Sequence, residues 1–207
     1  MSGGKAKLVQ TPSQTVGPFF AYGLTPEQYG YPTLASIASP NVLGGDLRTP
    51  DVDGERIRLV GRVLDGDGEP AGDAMIEIWQ ADPQGRYAHP ADTRGANMAF
   101  RGFGRCGTGT DPEKRFVFDT LKPGAADDSE APHINVIVFM RGLLSHLYTR
   151  VYFADEEAAN ARDSVLLSVP AERRETLIAA REQRDGVAVY RFDIHMQGGR
   201  ETVFFDV

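Results

Sequence analysis

Hydrophobic and polar residues alternate in short runs from Arg56 onward, and Gly- or Pro-containing turns separate these runs. A period of two residues places successive side chains on opposite faces of a β-strand. The predicted strands are Arg56–Val63, Ala74–Trp79, Arg115–Leu121, His133–Met140, Leu147–Phe153, Val187–Met196 and Thr202–Val207. About seven short strands of this kind are typical of an all-β protein, and we predict a β-sandwich or barrel.

Local signals add turns and helices to this pattern. Asp65-Gly66-Asp67-Gly68 separates the first two strands and predicts a tight turn, and therefore a hairpin. A calcium loop is excluded because no glutamate closes it at the twelfth position. Two short helices are predicted at Ala154–Arg162 and at Ala171–Arg184, the second of which begins after Pro170 and ends before Gly186.

The first 55 residues differ from the rest of the chain. They are rich in Pro, Gly, Thr and Ser, which predicts an extended N-terminal arm and loops that pack on the domain or on a partner. Residues 56–207 form the predicted sandwich, and no linker divides the chain into two domains. Residues 25–55, which include Tyr29 and Tyr31, either cover a pocket or contact a neighbouring subunit.

Composition narrows the function classes. The chain has 207 residues, of which 41% are hydrophobic, enough to fill the core of one globular domain. It has 22 Lys and Arg against 29 Asp and Glu, a formal net charge of -7. Phosphate neutralisation needs a basic face, and no cluster of Lys and Arg supplies one, so general nucleic-acid binding is excluded.

The cysteine count and the hydropathy pattern indicate the compartment. The single cysteine, Cys106, excludes an internal disulfide, and we expect it to be a buried structural thiol. The N-terminus lacks the apolar core of a signal peptide, and no apolar run approaches the roughly 20 residues that span a bilayer. We therefore predict a cytoplasmic protein that does not contact the membrane.

Four histidines could bind a metal or act as a base near neutral pH. His195 lies on the polar side of its predicted strand, and His146 lies in a predicted turn without a readable partner. His133 begins a strongly apolar strand and shares one face of it with Asn135. An amide is a poor ligand for a transition metal, so the pattern favours a core histidine bonded to the backbone over a metal ligand.

Several stretches of the chain together resemble the intradiol ring-cleavage dioxygenases, in order and spacing, from about residue 10 to the C-terminus. These stretches are 11–18, Leu59–Val63, Ile76–Asp82, Gly85–Tyr87, Phe100–Arg105, Leu121–Gly124, Ala131–Asn135, Arg191–Ile194 and Glu201–Asp206. The resemblance implies a β-sandwich of the intradiol dioxygenase type, with an extended N-terminal arm and two short helices.

The resemblance also implies a ferric site, which this chain matches only in part. The family holds non-haem iron(III) with two tyrosinates and two histidines, and Tyr87 and His133 match the first of each. The second histidine is Asn135, and residues 125–128 contain no second tyrosine. The arginine that catalytic chains carry three positions before the first histidine is Glu130 here. The resemblance therefore implies vestigial metal-site positions at Tyr87, His133 and Asn135, with no metal bound by this chain.

These departures are what a non-iron-binding alpha subunit would show. The resemblance implies a partner, a homologous beta subunit that binds the Fe(III), with alpha/beta pairs repeated in a larger oligomer. It implies cleavage of 3,4-dihydroxybenzoate (protocatechuate) by O2 to 3-carboxy-cis,cis-muconate, with no catalytic residue in this chain alone. The implied contribution of this chain is a wall of the substrate pocket, formed by Thr15, Gly17, Pro18 and Arg141.

Physical reasoning about Arg141 leaves two roles open. An acidic chain that receives an anionic substrate needs a local cation, and Arg141 lies at the end of an apolar strand. It could equally be a strand-end arginine that pairs with an acid.

Two other functions compete with the subunit hypothesis. The chain could be a non-enzymatic β-sandwich that serves binding or assembly. It could also be a stand-alone dioxygenase that recruits Tyr87, His133 and a further ligand such as His146 or Tyr148.

Overall fold

A computed structural model describes residues 15–17, 19–31 and 44–206. The predicted pocket residue Pro18, the motif residues 11–14 and the terminal Val207 lie outside the described residues. No helix in the described ranges is long and apolar enough to cross a membrane.

Strands account for most of the regular structure. They are β1 (Arg56–Leu64), β2 (Met75–Gln80), β3 (Phe103–Gly107), β4 (Arg115–Leu121), β5 (His133–Phe139), β6 (Leu147–Phe153), β7 (Ile178–Arg184), β8 (Val187–Arg191) and β9 (Ile194–His195). The helices are short: α1 (Phe20–Leu24), α2 (Glu157–Asn160), α3 (Ser164–Ser168) and two 3-10 turns at Glu27–Tyr29 and Ala171–Leu177.

The strands form two halves that pack face to face. One half has the order β3-β2-β5-β6 and the other has the order β7-β8-β1-β4. A two-residue parallel pairing between β6 and β7 joins them. One apolar cluster draws its buried side chains from both halves, among them Leu59 of β1, Ile78 of β2, Phe118 of β4 and Val136 of β5. The all-β sandwich prediction is confirmed.

The period-two pattern of β5 and β6 decides which side chains face away from the core. Ile134, Val136 and Val138 of β5 are buried in the core cluster. The intervening residues pair across the strands as His133 with Tyr152, Asn135 with Arg150, and Ile137 with Tyr148. Directly opposed residues of an antiparallel pair lie on the same face. The outer face of β5 and β6 therefore carries the residues with potential chemistry.

The predicted hairpin between the first two strands is wrong, although its turn forms. The amide of Gly68 donates to the carbonyl of Asp65 at 3.1 Å, as in a tight turn. However, β1 pairs with β4 on one edge and with β8 on the other. With both edges of β1 occupied, β2 crosses to the other half and pairs there with β3 and β5.

The second predicted helix is also wrong over its C-terminal part. Residues Ala171–Leu177 form a 3-10 turn, and β7 follows at once and pairs antiparallel with β8. Asp185 and Gly186 connect these strands with φ angles of 50° and 80°. An Asp-Gly pair in this conformation is a strong hairpin signal, which the helix prediction overlooked.

Three smaller differences concern element boundaries. The first predicted helix shortens to α2, and β3 forms where only a glycine-rich backbone feature was expected. The strand predicted at the C-terminus is reduced, within the described residues, to one bridge between Tyr148 and Phe205. Whether each of these segments forms a strand depends on its pairing with another part of the chain, which the local sequence pattern does not reveal.

Candidate functional site

Tyr87, His133 and Asn135 lie together at one end of β5. His133 and Asn135 belong to β5, and Tyr87 comes from the loop that follows β2. The phenol oxygen of Tyr87 lies 3.4 Å from Nε2 of His133. The side-chain amide of Asn135 donates to the same phenol oxygen at 3.2 Å. The structure thus brings the three positions that were predicted to be vestigial metal-site positions into one hydrogen-bonded cluster.

The hydrogen bonds assign the protons of this cluster. Nδ1 of His133 lies 2.8 Å from the carbonyl oxygen of Ala131, which can only accept, so Nδ1 carries the proton. Nε2 is then free to accept a hydrogen bond from the hydroxyl of Tyr87. Burial lowers the pKa of His133, whose exposed fraction is 3%, and the charge of Arg150 lowers it further. Burial also raises the pKa of Tyr87, so both side chains are neutral near pH 7.

An ion pair lies beside the cluster. The guanidinium of Arg150 bonds to the carboxylate of Glu130 at 2.9 Å and lies 3.5 Å from the hydroxyl of Tyr152. Only about a fifth of each charged side chain of the pair is exposed, 20% for Arg150 and 21% for Glu130. Sequence reasoning missed Arg150, because only the pairing of β5 with β6 places it opposite Asn135.

An open cleft of about 720 Å³ extends outward from the cluster. Its lining is mostly apolar and includes Trp79, Tyr87, His89, Ile137 and Tyr148. The ring of Trp79 contacts those of Tyr87 and His89 at centroid distances of 6.2 and 5.7 Å. His89 was not identified from the sequence, and its position two residues after Tyr87 was the available signal.

His146 and Tyr148 do not complete a metal site. They bond to each other, with 2.7 Å between Nε2 of His146 and the hydroxyl of Tyr148. Tyr148 lines the cleft, whereas His146 is exposed. Within the described ranges, no group of three or more His, Cys, Asp or Glu side chains could hold a metal ion. His146 is therefore bonded to Tyr148 and is not among the residues that line the cleft beside Tyr87.

Gly17 of the N-terminal arm and Arg141 lie at a second cavity, separate from the cleft. Gly17 and Arg141 line this cavity of about 230 Å³ together with Tyr22 and Asp73. The backbone amide of Gly142, next to Arg141, donates to the hydroxyl of Thr15 at 3.0 Å. Three of the four predicted pocket residues thus lie together, and Pro18 lies outside the described residues.

Arg141 is both paired with an acid and open to solvent. Its Nε bonds to a carboxylate oxygen of Asp73, and its side chain is 65% exposed. A carboxylate partner in water holds such a guanidinium only weakly. Arg141 therefore remains available to a second anion that enters the cavity.

Two contacts hold the arm in place. Gln28 forms a reciprocal pair of bonds with Gly107 of β3, donating to its carbonyl at 2.6 Å and accepting from its amide at 2.8 Å. The ring of Phe20 in α1 packs on Phe139 of β5 at a centroid distance of 5.4 Å. The arm thus lies on the outer face of the half that also carries the cluster.

Comparison with known sequences places this fold in a family. The sequence profile of the family Dioxygenase_C, described as dioxygenase, matches residues 31–198. The protocatechuate 3,4-dioxygenase alpha chain of Burkholderia cepacia is 57% identical over 201 residues, 97% of this chain and 98% of the relative. The alpha chain of Pseudomonas putida is 45% identical over 204 residues, 96% of this chain and 97% of the relative. The chain belongs to the intradiol dioxygenase family.

Its close relatives are alpha chains of protocatechuate 3,4-dioxygenase, oxidoreductases that act as subunits. The beta chain of the Burkholderia cepacia enzyme is less similar, with 37% identity over 72% of this chain and 67% of the relative. A solved dioxygenase domain from Streptomyces sp. SirexAA-E superimposes with a TM-score of 0.54. It is 22% identical and covers 78% of this chain and 89% of its own, which supports the fold alone.

The family implies non-haem iron, and the residues of this chain do not fit it. Ferric iron in this family needs oxygen and nitrogen donors with free lone pairs. Here position 135 is an amide that directs an N–H group toward the phenol of Tyr87, and an amide nitrogen has no lone pair for a metal. The guanidinium of Arg150, opposite Asn135 in the strand pairing, bonds to Glu130 and offers no lone pair to a metal. The cluster is a hydrogen-bonded structural unit.

Proposed function

We propose that this chain is the metal-free alpha subunit of a protocatechuate 3,4-dioxygenase, paired in the cytoplasm with a homologous beta subunit that holds ferric iron. The complex adds both atoms of O2 to 3,4-dihydroxybenzoate and yields 3-carboxy-cis,cis-muconate. The observation that carries the proposal is that Gly17 and Arg141 line one cavity while Thr15 bonds to Gly142, the residue next to Arg141.

Each of these residues has a physical role in a substrate pocket. The guanidinium of Arg141 would offset the desolvation of the substrate carboxylate, which an acidic chain cannot do without a local cation. Bonding between Thr15 and Gly142 would fix the arm against the residue next to Arg141. Gly17 has open space around its Cα, so the backbone can approach a ligand closely. The iron of the partner subunit would supply the chemistry of ring opening.

The proposed domain boundary separates the N-terminal arm from the sandwich. We propose that residues 1–55 act as the arm that reaches the partner, and that residues 56–207 form the sandwich that carries it. Strand β1 begins at Arg56, which supports this boundary.

The first test compares the chain alone with the chain co-expressed with a homologous beta chain. Alone, it should purify without iron and without ring-cleavage activity, whereas the complex should contain iron and cleave 3,4-dihydroxybenzoate. Stoichiometric ferric iron with tyrosinate absorption in the chain alone would refute the subunit assignment. Failure to form any complex would favour the non-enzymatic assembly module.

A second test addresses Arg141 in the complex. Arg141→Ala should raise KM for 3,4-dihydroxybenzoate by about tenfold or more, because a charged hydrogen bond is worth about 1.5–3 kcal/mol. Catechol lacks the carboxylate, so its KM should change little. Arg184→Ala is the matched control, since Arg184 is also exposed and paired with a single acid, Glu182. Equal effects on both substrates would show that Arg141 does not bind the carboxylate.

A further inference from the structure

The strand register brings an acid to the candidate pocket arginine. Met75 of β2 pairs with Phe139 of β5 in an antiparallel ladder. Continued by two residues past both strand ends, the same register brings Asp73 opposite Arg141. The side chains meet there, where Nε of Arg141 donates to a carboxylate oxygen of Asp73. The sheet therefore places this acid beside the arginine.

The contact with Asp73 leaves one edge of the guanidinium open. An arginine side chain has five N–H donors, one on Nε and four on the two terminal nitrogens. Among the described residues, Asp73 is the one hydrogen-bond partner of the Arg141 side chain, and it takes Nε. The edge formed by the two terminal nitrogens can bind a second carboxylate through two parallel hydrogen bonds.

Both members of the pair lie in the cavity of the N-terminal arm. Arg141 and Asp73 line it together with Gly17, Tyr22 and Tyr29. The arginine side chain is 65% exposed, so without a partner it would adopt many rotamers. A ligand that binds a freely rotating side chain loses affinity, because that side chain must be immobilised. A carboxylate that already holds Nε reduces this loss, since the planar group has fewer orientations left.

We propose that Asp73 is a positioning residue that holds the guanidinium of Arg141 with its terminal edge open to the substrate carboxylate. The inference rests on the proposed function, because it places Asp73 in the pocket where Arg141 binds 3,4-dihydroxybenzoate. Asp73 does not touch the substrate and acts through Arg141. Its negative charge repels the incoming anion, so the charge of Asp73 and its hold on Nε have opposite effects on substrate affinity.

Two substitutions in the alpha/beta complex separate the hold on Nε from the charge. Asp73→Asn removes the charge and keeps an oxygen that accepts from Nε, whereas Asp73→Ala removes both. Neither variant carries the charge, so their comparison isolates the bond to Nε. KM for 3,4-dihydroxybenzoate should be about threefold to tenfold higher for Asp73→Ala than for Asp73→Asn, with nearly equal kcat. Catechol has no carboxylate, so its KM should be the same in both variants.

A second comparison shows whether Asp73 acts through Arg141. In the background of Arg141→Ala, Asp73→Ala and Asp73→Asn should give equal KM for 3,4-dihydroxybenzoate. Glu182→Ala and Glu182→Gln are the matched controls and should not differ in KM, since Glu182 has similar exposure, 38% against 37% for Asp73, and also pairs with arginine. Loss of folded complex would lower the rates with both substrates alike and leave these KM ratios unchanged.

Two results would overturn the role of Asp73. One is equal KM for Asp73→Ala and Asp73→Asn while Arg141 is present, and the other is a difference that persists in Arg141→Ala. If Arg141→Ala alone still raises KM for 3,4-dihydroxybenzoate and not for catechol, the pocket stands and only the role of Asp73 is refuted. If Arg141→Ala has no such effect, the carboxylate role of Arg141 is refuted together with that of Asp73.

Discussion

At the scale of single residues, His133 is a buried histidine bonded to the backbone. Its Nδ1 proton bonds to Ala131 and its Nε2 faces the hydroxyl of Tyr87, so both ring nitrogens have protein partners. The strand pattern predicted such a backbone-bonded core histidine. Its relation to Arg150 was not predictable, because the two residues are distant in sequence and meet only when β5 pairs with β6.

The lowered pKa of His133 makes stability depend on pH. In the unfolded state His133 binds a proton near pH 6.5, whereas in the folded state it binds one only at lower pH. The free energy of unfolding therefore falls as pH decreases below about 6.5. Above that pH the stabilisation is fully present. The slope from this group is at most about 1.4 kcal/mol per pH unit.

Urea unfolding of wild type and His133→Asn between pH 7.5 and 5.5 measures this effect. Asparagine keeps a donor for the carbonyl of Ala131 but cannot titrate. The difference in unfolding free energy between the two proteins should therefore shrink toward low pH. A constant difference would mean that protonation of His133 is not linked to unfolding.

At the scale of elements, the β7–β8 hairpin shows where local pattern and tertiary pairing disagree. The residues of β7 include Arg, Glu and Gln, which favour helices, and no apolar alternation identifies the strand. Pairing with β8 through the Asp185-Gly186 turn overrides that propensity. Strand β5, by contrast, has a clear apolar alternation and was predicted to within one residue.

Substitution at the turn tests this hairpin. Gly186 has a φ of 80° and open space around it, so Gly186→Ala should cost about 1 kcal/mol through backbone strain alone. Gly199 also has open space but no such φ, and Gly199→Ala should leave stability nearly unchanged. The midpoint of urea unfolding measures both variants, and equal midpoints would show that the turn does not require glycine.

At the scale of the whole molecule, a polar network ties the two halves of the sandwich together at their junction. Asp155, just after β6, accepts bonds from Lys122 after β4 and from Tyr190 of β8, at 2.9 Å in each case. Lys122 also bonds to Glu156 at 2.6 Å. The network secures the halves where only two residues of β6 and β7 pair.

Removal of the lysine tests the network. Lys122 is 12% exposed, and Lys122→Met would leave Glu156 without this cation and Asp155 with only the more distant Arg181, at 3.5 Å. We expect a loss of about 1–2 kcal/mol in unfolding free energy, less than for a fully buried ion pair, because both carboxylates are about a third exposed to solvent. Lys114→Met, at an exposed lysine that bonds only to the carbonyl of Pro70, is the control. Similar losses in both variants would argue against a special role for Lys122.

The sequence by itself determined the strand-rich class and the positions of Tyr87, His133 and Asn135 along the chain, because period-two alternation and motif spacing are local properties. The arm, predicted to be extended, contains the helix α1 and a 3-10 turn within its described residues. Only the tertiary structure decided three further features. Thr15 bonds to Gly142 beside Arg141, and Gly17 lines a cavity together with Arg141. Strand β2 pairs with β5 in the other half rather than with β1, and Arg150 lies opposite Asn135. Each of these depends on which strand edges pair and which faces bury apolar area. Such long-range choices minimise the free energy of the whole chain rather than of any segment.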